Sequence, residues 1–558
     1  MTAARPGGGG TTRRDRARRP FAWAWALALL APVAVALAVA FLWPMLRVLG
    51  AAGPDGWAWI ASRYTLARLR VAALQALCSV LLTFAVAVPL AWMHHARRLP
   101  ASRIQLALHA APFVLPVFVV VYGLQQTLGA GGWLQAATGL DALGALGPFG
   151  SVVLAHAYYN HGFATVLLHA ALERRPRRLE EAATLLGAAP RSAFLRTTGL
   201  LVGPAALGAA LLVFLFAFAS FGTVLLLGAG SVSSTETLVY QQIGGVFPRT
   251  DRAAALGTVQ LALNGLLLLG YVALQRRVPV HAEPDREKPP ASRLLRFGSW
   301  LAVAASLAPA AAVLVGGFRL AGRWSLSPWQ ALLDRGHPGH QAGFELPHAL
   351  AVSLGYAAAT VALSLVLTLM LAYGARRLGR ARAAVETLAA LPLGASSLLF
   401  GLGFLLAYGA GAVADLRGWP GLVVAAHTLV AFPFTARVLL PALHTADTRL
   451  EEVAASLGAS PAAIAWRIHR PVLAAPLAAA AGFAAALSLG DYGASLLLMR
   501  PATMSLAVWT LRHDRPFDPL AHAQAVALAG LLAVLSAGAL LAAVAVRPRT
   551  RATRRDPT

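Results

Sequence analysis

A short polar stretch occurs twice in this chain of 558 residues. Arg178–Pro190 reads RLEEAATLLGAAP and Arg449–Pro461 reads RLEEVAASLGASP; the copies lie 271 residues apart and agree at 9 of 13 positions. Each copy sits between two long apolar runs. A duplicated polar loop at matching places in two hydrophobic halves predicts a pseudo-twofold membrane protein. The register extends beyond the loops at the same offset. His156 matches His427, Phe163 matches Phe434, Leu172 matches Leu443, Arg196 matches Arg467, and Gly222 of SFGT matches Gly493 of DYGA.

The composition agrees. The chain is 58% hydrophobic and 12% charged, whereas soluble domains carry about a quarter charged residues. The fold class is therefore all-α, a polytopic membrane protein. Net charge is +25; we read it as membrane topology and expect no nucleic-acid partner. The lone cysteine, Cys78, lies in an apolar run and excludes a disulfide framework or a cysteine-based metal site. The first apolar run, Phe21 to Trp43, exceeds a signal-peptide core of roughly 7–15 residues, so it reads as a retained span.

A bilayer crossing needs roughly 20 apolar residues. By that measure about 12 TM helices are expected, at 21–43, 71–92, 104–124, 150–172, 200–221, 253–274, 298–318, 349–373, 385–406, 422–443, 472–489 and 521–546. The chain then divides into a basic cytoplasmic tail (1–20), a first six-helix half (21–274), a cytoplasmic linker (275–297), a second half (298–546) and a basic tail (547–558). The segments placed inside by this count hold 33 of the 47 Lys and Arg residues. Positive residues stay cytoplasmic, so both termini and both repeated loops are expected to face the cytoplasm. The linker (QRRVPVHAEPDREKPPASRLLR) is polar and proline-rich, as a connector between parallel repeats should be.

Each repeated loop has the grammar of a helix–turn–helix. Leu179–Leu186 allows two helical turns. Gly187 suits a left-handed helix C-terminus and Pro190 the first position of a new helix. Gly458 and Pro461 do the same in the second copy, with Ser460 placed as an N-cap. Glu180, Glu181, Glu451 and Glu452 project carboxylates from this face. A lone charged loop is most simply a solvated connector. Two copies in register are not, because a connector has no packing reason to repeat glutamate, glycine and proline.

The motif Glu181-Ala182-Ala183-x-x-x-Gly187, with Glu452-Val453-Ala454-x-x-x-Gly458, resembles the EAA loop of ABC-importer permeases. The resemblance implies that Glu180, Glu181, Ala183, Gly187, Glu451, Glu452, Ala454 and Gly458 belong to coupling helices that dock on a cytoplasmic ATPase. The longer pattern places Ile and Pro after the glycine. Ile468 and Pro471 fit it, Thr197 and Leu200 depart from it, and Val453 stands where alanine is usual. Two fused halves, together with SFGTVLLLGAG, LSLGDYGASLLL, TETLVYQQI and TMSLAVWTL, are most similar to ferric-iron and thiamine importer permeases. The family implies a type I fold in the bacterial inner membrane, an ABC ATPase dimer inside and a substrate-binding protein outside. It also implies ATP-driven alternating access and no cofactor on this chain, with ATP on the partner subunit.

No GxxxxGK[ST] phosphate loop occurs, so the chain is expected to be a transport subunit and not an enzyme. His94-His95 reads as local structure at a span end. Asp334, His337 and His340 lack a fourth ligand, and no metal site is expected. His156 and His427, paired by the repeat within spans, read first as helix–helix hydrogen bonds and second as pathway groups. Asp491 sits at a glycine break, opposite Ser220 in the register, between the matching aromatics Phe221 and Tyr492. Such breaks line cavities when they lie at membrane depth, so these three are candidates for the translocation path. An ion-coupled secondary transporter is the alternative class, but it offers no reason for two EAA-like loops.

Overall fold

A computed structural model describes residues 26–545 except 175–176, 246, 276–287, 377, 379–381, 383–384, 386, 388, 410–415, 417, 445–447 and 516. Both expected tails and most of the expected linker lie outside the described residues. Among the described residues the regular structure is helical apart from one two-residue strand pairing, Arg319–Leu320 with Arg323–Trp324, and an isolated bridge between Arg98 and Pro290. The all-α membrane class is as the composition requires.

Among the described residues, nine helices are long and apolar enough to cross a bilayer, or ten if one bent pair counts as a single span. About twelve are expected from the sequence, and the three runs that do not pass as single straight apolar helices differ for local reasons. Run 104–124 is two helices, Ser102–Val114 and one beginning at Val117, bent by 103°. Pro116 causes the break: its ring denies an N–H to the helix and pushes Leu115 to extended backbone (φ −69°, ψ 145°). Run 385–406 is likewise interrupted, by a 3₁₀ turn Leu391–Gly394 ahead of the 12-residue helix Ser397–Tyr408. Run 150–172 lies within Ala142–Glu173, a helix kinked at Gly147. Its buried His156, Asn160, His161 and Thr165 keep it less apolar than the nine.

The helices pack as two similar sets. Arg63–Ala96 lies along Ala142–Glu173, which also packs on Ser102–Val114. In the other set Leu346–Ala375, Pro420–His444 and Pro461–Gly490 pack on one another. The leading helix of each set crosses to the other. Trp43–Ala51 packs on Ser397–Tyr408, and Arg293–Gly316 packs on Val117–Leu128. This exchange ties the sets together around a core where Phe118, Tyr122, Phe400 and Phe404 are fully buried. Polar groups inside it are met across helices: Gln75 Nε2 donates to the Ala217 carbonyl (2.8 Å), and Thr368 and Thr435 hydroxyls lie 2.7 Å apart. At one end, Lys288 Nζ contacts Glu173 Oε1 at 2.9 Å, and Arg98 N–H donates to the Pro289 carbonyl. The described end of the linker is thereby held against the first set.

Candidate functional site: paired loops and a central cavity

The two repeated loops fold alike and close with the same backbone hydrogen bond. Arg177–Leu185 and Thr448–Ser456 are helices, followed by short helices that begin at Pro190 and Pro461. Gly187 (φ 89°) and Gly458 (φ 86°) take the left-handed turn between them. The Ala188 N–H donates to the Ala183 carbonyl at 3.0 Å, and the Ala459 N–H to the Ala454 carbonyl at 2.9 Å. This is a Schellman closure, which satisfies carbonyls that a helix end otherwise leaves bare. Ser460 caps the second short helix, accepting from the Ala463 N–H.

The glutamates divide into two kinds. Glu180 and Glu451 turn back onto their own chain. Thr198 Oγ1 donates to Glu180 Oε2 at 2.9 Å. Arg376 donates to Glu451 Oε1 at 2.7 Å, with His469 Nε2 at 2.9 Å from the same oxygen. Thr198 and His469 are themselves equivalent in the 271-residue register. Partial burial alone would raise the Glu451 carboxyl; bonds from Arg376 and His469, with their charge, outweigh it and hold it below the usual carboxylate range. Glu181 and Glu452 are exposed. Beside them stand bare apolar side chains: Leu185 is 88% exposed, Leu186 89% and Leu457 82%. Leu186 and Leu457 lie in equivalent turns just after the two matching helices.

Between the sets lies a cavity of about 290 Å³, near the lower end for small-molecule sites, roughly 300–1,000 Å³. His156, Phe221, Asp491 and Tyr492, all singled out from the sequence, line it. The glycine breaks put three of them there. Helix Pro190–Phe218 ends and a new helix starts at Gly222; Pro461–Gly490 ends and a new one starts at Gly493. The breaks are not solvated loops, because Phe221 and Tyr492 are each only 5% exposed. Their rings stack with centroids 5.3 Å apart and planes at 18°.

The paired histidines behave as inter-helix bonds. His156 Nδ1 lies 3.0 Å from Gln75 Oε1, and His427 Nδ1 lies 2.8 Å from Ser488 Oγ. His427 does not line the cavity. It backs it: its Nε2 is 3.0 Å from Ser495 Oγ and 3.0 Å from Asp491 Oδ2. Sequence reading missed Glu236, Asn160 and Tyr159, which also line the wall. Glu236 stands in TETLVYQQI, in the first turn of Thr235–Ile243, capped by Ser234. An acid there reads as ordinary helix-start chemistry; its burial against Gln260 Nε2 (3.3 Å) is a long-range fact.

The remaining candidates are structural. His94 Nδ1 lies 2.9 Å from Ser102 Oγ and His95 Nδ1 2.6 Å from Glu173 Oε1. Asp334 and His337 accept from nearby backbone N–H groups, and both ring nitrogens of His340 face carbonyls. Among the described residues no group of three or more His, Cys, Asp or Glu has the arrangement to hold a metal.

No protein-family model matches the chain. Individual relatives do. The chain is 30% identical over 537 residues to the thiamine transport system permease protein ThiP of Brucella abortus (strain 2308), covering 91% of this chain and 90% of that protein. It is 31% identical over 440 residues to ThiP of Escherichia coli (strain K12), covering 75% and 78%. A third relative, the molybdenum transport system permease protein ModB of Mycobacterium bovis, is 33% identical over 206 residues, 34% of this chain and 78% of its own length. Two packed sets of apolar helices with such relatives define a multi-pass inner-membrane permease subunit of an ABC importer. Within that class, the chain belongs to the family of ThiP permeases.

Proposed function

We propose that this chain carries thiamine from an external binding protein to the cytoplasm, driven by a separate ATPase dimer. The observation that carries this reading is the loop pair. Two copies with the same backbone closure, each with bare leucine beside an exposed glutamate, suit docking to two equivalent subunits. The loops are the coupling helices: Glu181, Glu452 and the leucines meet the ATPase. Glu180, Ala183, Gly187, Glu451, Ala454 and Gly458 hold each helix in place. ATP-driven closure of the ATPase draws the loops together and alternates the cavity's access. Residues 21–274 and 298–546 form the two halves, joined by the linker 275–297. ATP stays on the partner, and this chain binds no cofactor. Thiamine is chosen because the relatives matching most of the chain are named for it.

The complex should be purified with its ATPase and binding protein and reconstituted in proteoliposomes. Labelled thiamine is expected to accumulate only with ATP. Accumulation driven by an ion gradient without ATP would move the chain to the secondary-transporter class. Both termini and the tails 1–20 and 547–558 are assigned to the cytoplasm, on the charge asymmetry. A reporter active only in the periplasm, fused after Thr558, would overturn that orientation.

A further inference from the structure

The loops are where the two halves agree; the cavity wall is where they differ. In the 271-residue register Asp491 stands opposite Ser220, and Glu236 opposite Ala507. Each half thus gives the cavity one carboxylate, at positions the repeat does not duplicate. Glu236 is 5% exposed, and among the described residues lining this cavity there is no lysine or arginine. Carboxylates in such a place are costly unless a positive group meets them. The wall also carries buried polar atoms with no hydrogen-bond partner in the protein: His156 Nε2, Asn160 Oδ1, Asp491 Oδ2 and Tyr492 Oη. His156, Asn160 and Tyr492 are all at least nine-tenths buried. His427 Nε2 lies 3.0 Å from Asp491 Oδ2 and 3.0 Å from Ser495 Oγ, and it is the one ring nitrogen facing that carboxylate oxygen among the described contacts.

Aromatic faces complete the wall. The Phe221–Tyr492 stack is joined there by Phe113 and Phe434. Such faces attract cations and accept flat rings. We propose that this cavity is a binding subsite for a flat organic cation. Glu236 and Asp491 supply the counter-charge and Phe221 with Tyr492 the stacking surface. An anionic cargo would meet two carboxylates and no cation. The permease itself, and not only the external binding protein, therefore selects for charge. This deepens the thiamine reading, from which it takes the choice of probe, since the thiazolium ring of thiamine is permanently positive.

The test uses the permease–ATPase complex in lipid nanodiscs without the binding protein. Two probes of nearly one shape are titrated: 4-methyl-5-(2-hydroxyethyl)thiazole, which is neutral, and its N-methylthiazolium. The cation is expected to bind about tenfold tighter or more, since each tenfold is about 1.4 kcal/mol. Glu236→Gln and Asp491→Asn should each pull that ratio toward one. A variant that merely disturbs packing weakens both probes and leaves the ratio alone. A ratio near one in the unaltered complex, or one unmoved in both variants, would overturn the subsite. The thiamine reading fails separately: if proteoliposomes take up no thiamine while the charge ratio holds, the substrate is wrong and the cation subsite stands.

Discussion

Replacing Gly187 and Gly458 together by valine is expected to weaken association with the ATPase by roughly 5–150-fold, the range of a 1–3 kcal/mol coupling, and to lower ATP-driven uptake with it. Both glycines hold φ near +90°. A left-handed backbone costs an L-residue about 1–2 kcal/mol, and a β-branched one is a genuine outlier there. Space is not the obstacle, because a Cβ at either position meets nothing within 4 Å. The loss therefore comes from the turn itself, which sets the angle between each coupling helix and the helix starting at Pro190 or Pro461. Asparagine tolerates this conformation better than valine, so the double asparagine variant should recover part of the uptake. Co-purification and uptake assays read both effects. Equal behaviour of the valine and asparagine variants would refute the backbone explanation.

A second large effect is expected at Gly162, far from the loops. A Cβ there would lie 1.6 Å from the His109 carbonyl oxygen and 2.7 Å from the Ala110 nitrogen. Those obstacles are backbone and cannot rotate away. Gly162→Ala must push the helices Ser102–Val114 and Ala142–Glu173 apart. Overpacking costs 1–3 kcal/mol and occasionally more; with backbone in the way, about 3 kcal/mol is expected here. Separation would also shift the cavity, since Phe113 stands on one of these helices and His156 on the other. Thermal unfolding in detergent should show a clearly lower midpoint and a poor yield of folded protein. An unchanged midpoint would mean that the helix contact is looser than described.

These two sites mark the limits of what the sequence made readable. The loops were legible because their determinants are local. Glycine at a helix end, proline at a helix start and a serine cap each act within a few residues, and duplication raised them above chance. The structure added that Glu180 and Glu451 bind inward, to partners 18 and 75 residues away. The aromatic pair Phe221 and Tyr492 was found through register, since glycine breaks in equivalent helices must meet at a pseudo-twofold axis. Gly162 gave no signal, because a close helix contact is written in two segments at once. Glu236 was quoted within a motif and passed over, because nothing local says that its first-turn carboxylate is buried. Run 104–124 is bent at Pro116, whose effect on Leu115 is readable in the sequence but is outweighed there by an unbroken apolar run. Run 150–172 does lie in a full-length helix, Ala142–Glu173, whose buried polar groups lower its hydropathy.

The central claim is that two equivalent loops engage two equivalent ATPase subunits. It is tested most directly by cysteines at Leu186 and Leu457, the exposed matching leucines, in a background with Cys78 replaced by serine. A short bifunctional maleimide is applied to the transport-competent complex, whose ATPase subunits carry cysteines along their permease-facing surface. Each loop is predicted to cross-link to one ATPase subunit, with both links formed in the same complex and their yield changing when ATP is added. A complex that transports while neither cysteine comes within reach of the ATPase would contradict the account.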